Sequence, residues 1–191
     1  MVIDNSKFVK KSGSYSIAQT DGVADPILLG TATKYEEALS RSFKALAPGD
    51  VSQRYAGVQR VHWSEKYDGE GVLFFYDEAV EAFTFAAPSG RARIGLKALQ
   101  DAANALKKKG IKKALFRGEL YLPTEKGKPR PGIAGVTHAS FSTEQGLADN
   151  LRLALFDILM LSGKDQREDE RTFEDESDTL AEIFGEDANL S

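Results

Sequence analysis

Between residues 72 and 161 the apolar residues come in short runs, each closed by turn-forming residues, and this spacing restricts the fold more than any other feature of the chain. The runs 72–76 and 80–86 flank Asp77-Glu78 as a hairpin would, 114–121 alternates, and 151–161 is strongly apolar. Successive side chains of a strand point to opposite faces. The stretch 114–121 therefore puts Leu115, Arg117, Glu119 and Tyr121 on one face and Phe116, Gly118 and Leu120 on the other. Strands that outnumber helices and come in hairpins pair antiparallel, whereas alternating strand and helix units would build a parallel sheet. The expected class is α+β, with mainly antiparallel sheets and flanking helices.

The helical signals lie around these runs. Thr33 and Glu36 have capping-box spacing, and Tyr35, Leu39, Phe43 and Leu46 recur every three or four residues until Pro48-Gly49, which predicts a helix from Thr33. Pro88-Ser89-Gly90 introduces a second helix with an apolar stripe of Ile94, Leu96, Leu99, Ala103 and Leu106. Lys107, Lys108, Lys109 and Gly110 suit its C-terminus, because cations complement the dipole and glycine the left-handed cap. Residues 143–150 read as a short helix, and 172–184 as an acidic helix with Phe173, Leu180 and Phe184 inward. The first 24 residues read as irregular with a short strand at 15–19, residues 58–65 as extended, 66–71 as a charged glycine turn, and 123–135 as a basic loop carrying Lys126, Lys128 and Arg130. Three stretches follow: an N-terminal segment 1–57 with one helix, a core 58–163, and an acidic segment 164–191.

Composition excludes several classes of function. The chain has 191 residues, 41% of them hydrophobic, enough for one well-buried core. No apolar run approaches the roughly 20 residues of a membrane helix, and 151–161 is interrupted by Arg152 and Asp157, so no membrane partner is expected. No apolar segment with a cleavage site stands near the start, and the expected location is cytoplasmic. With no cysteine, disulfides, thiolate zinc sites and cysteine nucleophiles are excluded, and His62 and His138 are the only imidazoles. Any metal is then a hard ion held by oxygens. Neither a P-loop nor a Gly-x-Gly-x-x-Gly turn nor a Gly-x-Ser-x-Gly elbow occurs. The net charge of -4 divides into -8 over 164–191 and +4 over 1–163, so the body is mildly basic and compatible with a nucleic-acid partner.

Three words carry chemistry: Ser64-Glu65-Lys66-Tyr67-Asp68-Gly69, Phe116-Arg117-Gly118-Glu119-Leu120 and Leu155-Phe156-Asp157-Ile158-Leu159. In this order they resemble the first nucleotide-binding motifs of the covalent nucleotidyltransferases, the superfamily of DNA ligases, RNA ligases and messenger-RNA capping enzymes. The resemblance spans about 58–184 and implies the ligase adenylation fold. It implies that Lys66 is the nucleophile that takes AMP from ATP or NAD as a lysyl phosphoramidate. An unperturbed lysine is neutral only about four times in ten thousand at pH 7, so the amine is expected to be partly buried near a divalent cation. Gly69 and Gly71 would let phosphates approach the backbone, and Asp68 would orient Lys66 or help hold Mg²⁺. By the same resemblance Glu119 meets the ribose hydroxyls or the metal, Phe156 stacks on the base, and Ser64 and Glu65 belong to the nucleotide-binding set. The arginine usual two residues after Lys-x-Asp-Gly is Gly71 here, which leaves its ribose contact to Arg91 or Arg93, or to none. Arg117 either meets a phosphate or pairs with Glu119, and the pair is preferred.

The resemblance implies the adenylation part of an ATP-dependent DNA ligase that seals nicks in DNA repair, with ATP and Mg²⁺ as cofactors and nicked DNA as partner. The second word also has an echo of NAD-dependent ligases, and RNA is a second possible substrate. Beyond Phe156 the family's Glu-Gly and Lys-x-Lys motifs do not follow, so the chain is expected to be an N-terminal part, completed by an OB-fold domain or a second chain. The alternative reading is a non-catalytic binding module that keeps the sheet and binds a nucleotide without chemistry.

Overall fold

In the computed structural model, which describes residues 1–42, 46–59, 66–124, 126–144, 146–166 and 172–185 and the backbone of 189–190, the strands join in one antiparallel sheet. They are β1 (Val9–Ser12), β2 (Tyr15–Ala18), β3 (Glu70–Asp77), β4 (Phe83–Ala86), β5 (Arg91–Ile94), β6 (Lys113–Tyr121), β7 (Arg152–Leu161), β8 (Lys164–Asp165) and β9 (Asn189–Leu190). The spatial order is β1-β2-β5-β4-β3-β6-β7-β8, and β9 pairs with β7 at the end opposite β8. The fold class is α+β, as the hairpin pattern predicts. β2, from the N-terminal segment, pairs with β5 and so belongs to the same sheet as the core strands.

Both faces of the sheet are covered, which explains why β3 is apolar almost throughout rather than alternating. One face carries Val72, Phe74, Phe116, Leu120, Leu153 and Ile158, and it packs on α3 (Lys97–Lys108), α4 (Gly132–Phe141) and α5 (Phe173–Phe184). The other carries Leu73, Phe75, Phe83, Phe85, Leu115 and Leu159 beneath Leu28 and Ala32 of α1 (Pro26–Ser42). A further helix, α2 (Pro48–Arg54), buries none of its residues. Among the described residues no helix is long and apolar enough to cross a membrane.

Several local expectations change. α1 begins at Pro26, where the Asp25 carboxylate accepts from the backbone N–H groups of Ile27 (2.9 Å) and Leu28 (3.1 Å), and proline at the first position loses nothing. Thr33 lies inside the helix, its hydroxyl donating to Leu29 O at 2.8 Å, so the Thr33–Glu36 spacing is not a cap. Pro48 starts α2 as well as ending the apolar repeat. Residues 88–90 close a turn into β5 instead of opening a helix: Gly90 has φ +66°, and Gly22 N donates to its carbonyl at 2.9 Å. Ile94 is thus a strand residue, and the helix starts three residues later at Lys97. The basic loop is cut short by α4, and among the described residues of 143–150 the one helical piece is a 3-10 turn, Ala148–Asn150. In 58–65 only residues 58 and 59 lie among the described residues, and they are not strand. α5 forms with a reciprocal cap between Thr172 and Asp175, and it docks through Leu180 and through Phe184, whose ring meets Phe116 edge-on at 5.6 Å. Phe173 is 47% exposed and not inward.

Candidate functional site

The site forms because β3 and β6 pair in a register that sets Gly71 opposite Glu119 and Val72 opposite Gly118. Two sequence words 50 residues apart are thereby joined at one end of the sheet. Gly69 N donates to Glu119 Oε1 at 2.6 Å, which ties the Lys-x-Asp-Gly turn to the acidic strand. Only glycine fits there, since a Cβ on Gly69 would lie within 3.0 Å of the Leu120 carbonyl carbon and Tyr121 Cα.

Lys66 is exposed rather than partly buried, and it stands four residues before β3 begins at Glu70. Its Nζ stands 3.4 Å from Tyr67 O, and Arg130 Nη1 donates to Lys66 O at 3.2 Å. Tyr67 and Tyr121 bring their rings to 4.6 Å at 39°. The Asp68 carboxylate stands against Gly132, the first residue of α4, where a Cβ would lie 3.3 Å from Oδ2. A helix N-terminus favours a carboxylate beside it. Lys66, Tyr67, Asp68, Tyr121, Arg130 and Pro131 line a cleft of about 370 Å³.

The third word enters through an irregularity. Arg117 pairs with Asp157 and Gly118 with Leu155, so Phe156 is the extra residue of a bulge, which explains why it is 39% exposed in an otherwise buried strand. Arg117 lies over its ring, with Cζ 5.6 Å from the centroid. Arg117 does not pair with Glu119: its Nε meets Glu36 Oε1 of α1 at 2.6 Å, and Nη1 donates to Val72 O (3.1 Å) and to Gly118 O. The helix supplies the carboxylate because Glu119 is already engaged by the Gly69 backbone. The Tyr35 hydroxyl, one residue along α1, donates to Asp157 Oδ2. Burial, with that carboxylate second, pushes the Tyr35 phenol well above its ordinary range.

Arg91 and Arg93 are both drawn to a different carboxylate. Both reach Glu70, Arg93 through Nη2 at 2.6 Å and Nη1 at 3.3 Å, and Arg91 through Nη1 at 3.1 Å. Glu70 precedes Gly71 in β3, so strand alternation turns this cluster to the face away from Glu119. Ser64 and Glu65 lie outside the described residues. No group of three His, Asp or Glu converges among the described residues. Mg²⁺, however, needs only one or two carboxylates when phosphates complete its shell, and the exposed Asp68 oxygens and the remaining lone pairs of Glu119 are donors of the right kind.

Tyr35, Glu36 and Tyr121 enter the site without having been singled out for it. Tyr35 carries the apolar period of α1 and Tyr121 the alternation of β6, so neither announces a polar role. No protein-family model matches the chain, and no curated protein matches it in sequence.

Proposed function

We propose that this chain carries the nucleotide-accepting part of a polynucleotide ligase adenylation domain, with Lys66 as nucleophile, Phe156 as base platform and ATP as the nucleotide donor. The observation that carries the reading is the 2.6 Å hydrogen bond from Gly69 N to Glu119 Oε1. It joins the lysine turn to the acidic strand, and the next strand brings Phe156 beside them through the Arg117–Asp157 pair. In the reaction Lys66 Nζ, having lost a proton, attacks the α-phosphorus; a P–N bond forms, the bond to the bridging oxygen breaks, and pyrophosphate leaves with that electron pair. Asp68 and Glu119 would hold Mg²⁺, which supplies charge neutralisation on the phosphates. Nicked DNA is the acceptor proposed for the AMP, and Arg130 of the cleft wall is a cation suited to a phosphate backbone.

The second reading, a binding module without chemistry, is favoured by one feature: Lys66 is exposed, and among the described residues its side chain makes one hydrogen bond, a long one, to its own neighbour. Intact-mass spectrometry after incubation with Mg²⁺ and ATP, NAD or GTP in separate tubes decides between the two. One AMP on the chain, lost in Lys66→Ala and slowed in Glu119→Ala, supports the ligase reading, and the donor that works selects the subfamily. ATP binding with no adduct from any donor supports the module. An adduct on another residue refutes the assignment of Lys66.

A further inference from the structure

We propose that Tyr35 and Glu36 of α1 are positioning residues for Phe156, holding open the β7 bulge that stands its ring out of the sheet and so setting the affinity of the site for the base of a nucleotide. The assignment rests on the nucleotide reading above and deepens it by adding the helix that builds the base platform.

Phe156 is presented by an irregular stretch of backbone. Leu155 and Ile158 are three residues apart, yet both are buried on the face that packs on α3, α4 and α5. Side chains of a regular strand share a face at every second residue, so the chain between these two holds one residue too many. That residue is Phe156, which lies between the pairs Gly118–Leu155 and Arg117–Asp157. A bulged residue has no partner in the ladder, and a slip of one position would turn its neighbours to the opposite face, so the register here needs support from outside the two strands.

α1 supplies that support on both sides of the bulge. Its docked stripe runs through Leu28 and Ala32, and Tyr35, seven residues beyond the first, and Glu36, four beyond the second, continue it by one turn. Tyr35 donates its hydroxyl to Oδ2 of Asp157, the residue after Phe156, and Glu36 sets Oε1 at 2.6 Å from Nε of Arg117, the residue that faces Asp157 across the strand pair. Arg117 in turn lies over the Phe156 ring, with Cζ 5.6 Å from the centroid, and is fastened to β3 through Val72 O. Two consecutive residues of one helix therefore grip the two residues that bracket Phe156. Each contact has a charged partner and lies on part-buried side chains, where such contacts are stronger than in water. Tyr35 and Glu36 act through the ring they position, with no contact to the ligand required of either.

A double-mutant cycle, read by calorimetric titration of the whole chain with ATP, tests this. Phe156→Ala, at a position 39% exposed, removes the platform and should weaken ATP binding about tenfold, within the usual worth of a base stacked on an aromatic ring. Tyr35→Phe, which keeps the ring and deletes only the hydroxyl, should weaken it about threefold or more, and Glu36→Gln likewise. In the Phe156→Ala background neither change should weaken binding further, because the platform they position is gone. A merely structural role would give the same loss with and without Phe156. Circular dichroism checks that each chain is folded, and Glu36→Gln carries the cycle if Tyr35→Phe does not fold. ATP affinity unmoved by Phe156→Ala or by the folded α1 variants, or an α1 loss that persists in the Phe156→Ala background, overturns the assignment while the chain still stands as a nucleotide binder. An unaltered chain that binds no ATP overturns both readings.

Discussion

Removing the Glu70 carboxylate should be among the most destabilising single changes in this protein. Glu70 is 7% exposed and holds the guanidinium of Arg93, whose side chain is wholly buried, through contacts of 2.6 and 3.3 Å. Glu70→Ala would leave a buried cation whose Nε already has no acceptor among the described residues. Breaking a buried pair from one side costs about 3–5 kcal/mol, because the remaining charge keeps its desolvation penalty and loses its compensation. For a chain of this size each kcal/mol moves the melting temperature by about 2–4 °C, so Glu70→Ala should melt about 6–20 °C lower by circular dichroism. Arg91 contributes less to that loss, since its side chain is 38% exposed and can turn to water. The control is Lys109–Glu182, a 3.4 Å pair with side chains 42% and 77% exposed, where Glu182→Gln should shift the melt by no more than about 4 °C. The double change Glu70→Leu with Arg93→Met replaces the pair by apolar groups and should recover most of the loss. A drop below about 2 °C for Glu70→Ala, or a double variant no better than the single one, would refute the claim that an uncompensated charge sets the cost.

Further outcomes follow from other elements. Leu180→Ala should raise the protease sensitivity of the C-terminal segment and cost about 2–4 kcal/mol, because Leu180 is the 5% exposed anchor of α5 itself, whereas Phe173→Ala should change it far less; equal effects would contradict this docking. On the proposed ligase reading, Gly69→Ala should abolish AMP transfer, because its Cβ has no room against the Leu120 and Tyr121 backbone; mass spectrometry reads it, and an adduct at the rate of the unaltered chain would show the turn to be unconstrained. The raised Tyr35 phenol contributes stability that is complete below about pH 10, its unfolded value, and is lost as pH rises above it, since the unfolded chain ionises first. Urea titrations from pH 9 to 11 should show stability falling, with a shallower fall in Tyr35→Phe; identical slopes would exclude Tyr35 as the source. Nucleic-acid binding should weaken steeply with salt, and Lys126→Ala with Lys128→Ala should lower that slope, which fluorescence anisotropy at two salt concentrations measures; a slope unaltered by the substitutions would exclude the basic loop.

The elements legible in the sequence are those whose signal is contained in a few neighbouring residues. β6 and β7 announce themselves by alternation and apolar length, the β3–β4 hairpin by Asp77-Glu78 between apolar runs, and α3 by its stripe and closing Gly110. The three words of the candidate site are likewise local strings, since their residue types and order stand in the chain itself. What local signals could not decide depends on partners far away in sequence. Capping-box spacing points to a helix start at Thr33, whereas the core contacts of Leu28 and Ala32 extend the helix back to Pro26 behind Asp25. Residues 91–94 form a strand because Arg93 finds Glu70 in β3 and Ile17 in β2, neither visible from a helical stripe. The partners of Arg117 and Asp157 come from α1, and the exposure of Phe156 comes from a bulge in the β6–β7 register. Local periodicity thus determined where most strands and helices lie, because backbone preference and amphipathic spacing act within a turn or two. Tertiary structure alone decided which charges meet, because a buried cation takes whichever carboxylate the sheet register and the docked helix bring within about 3 Å.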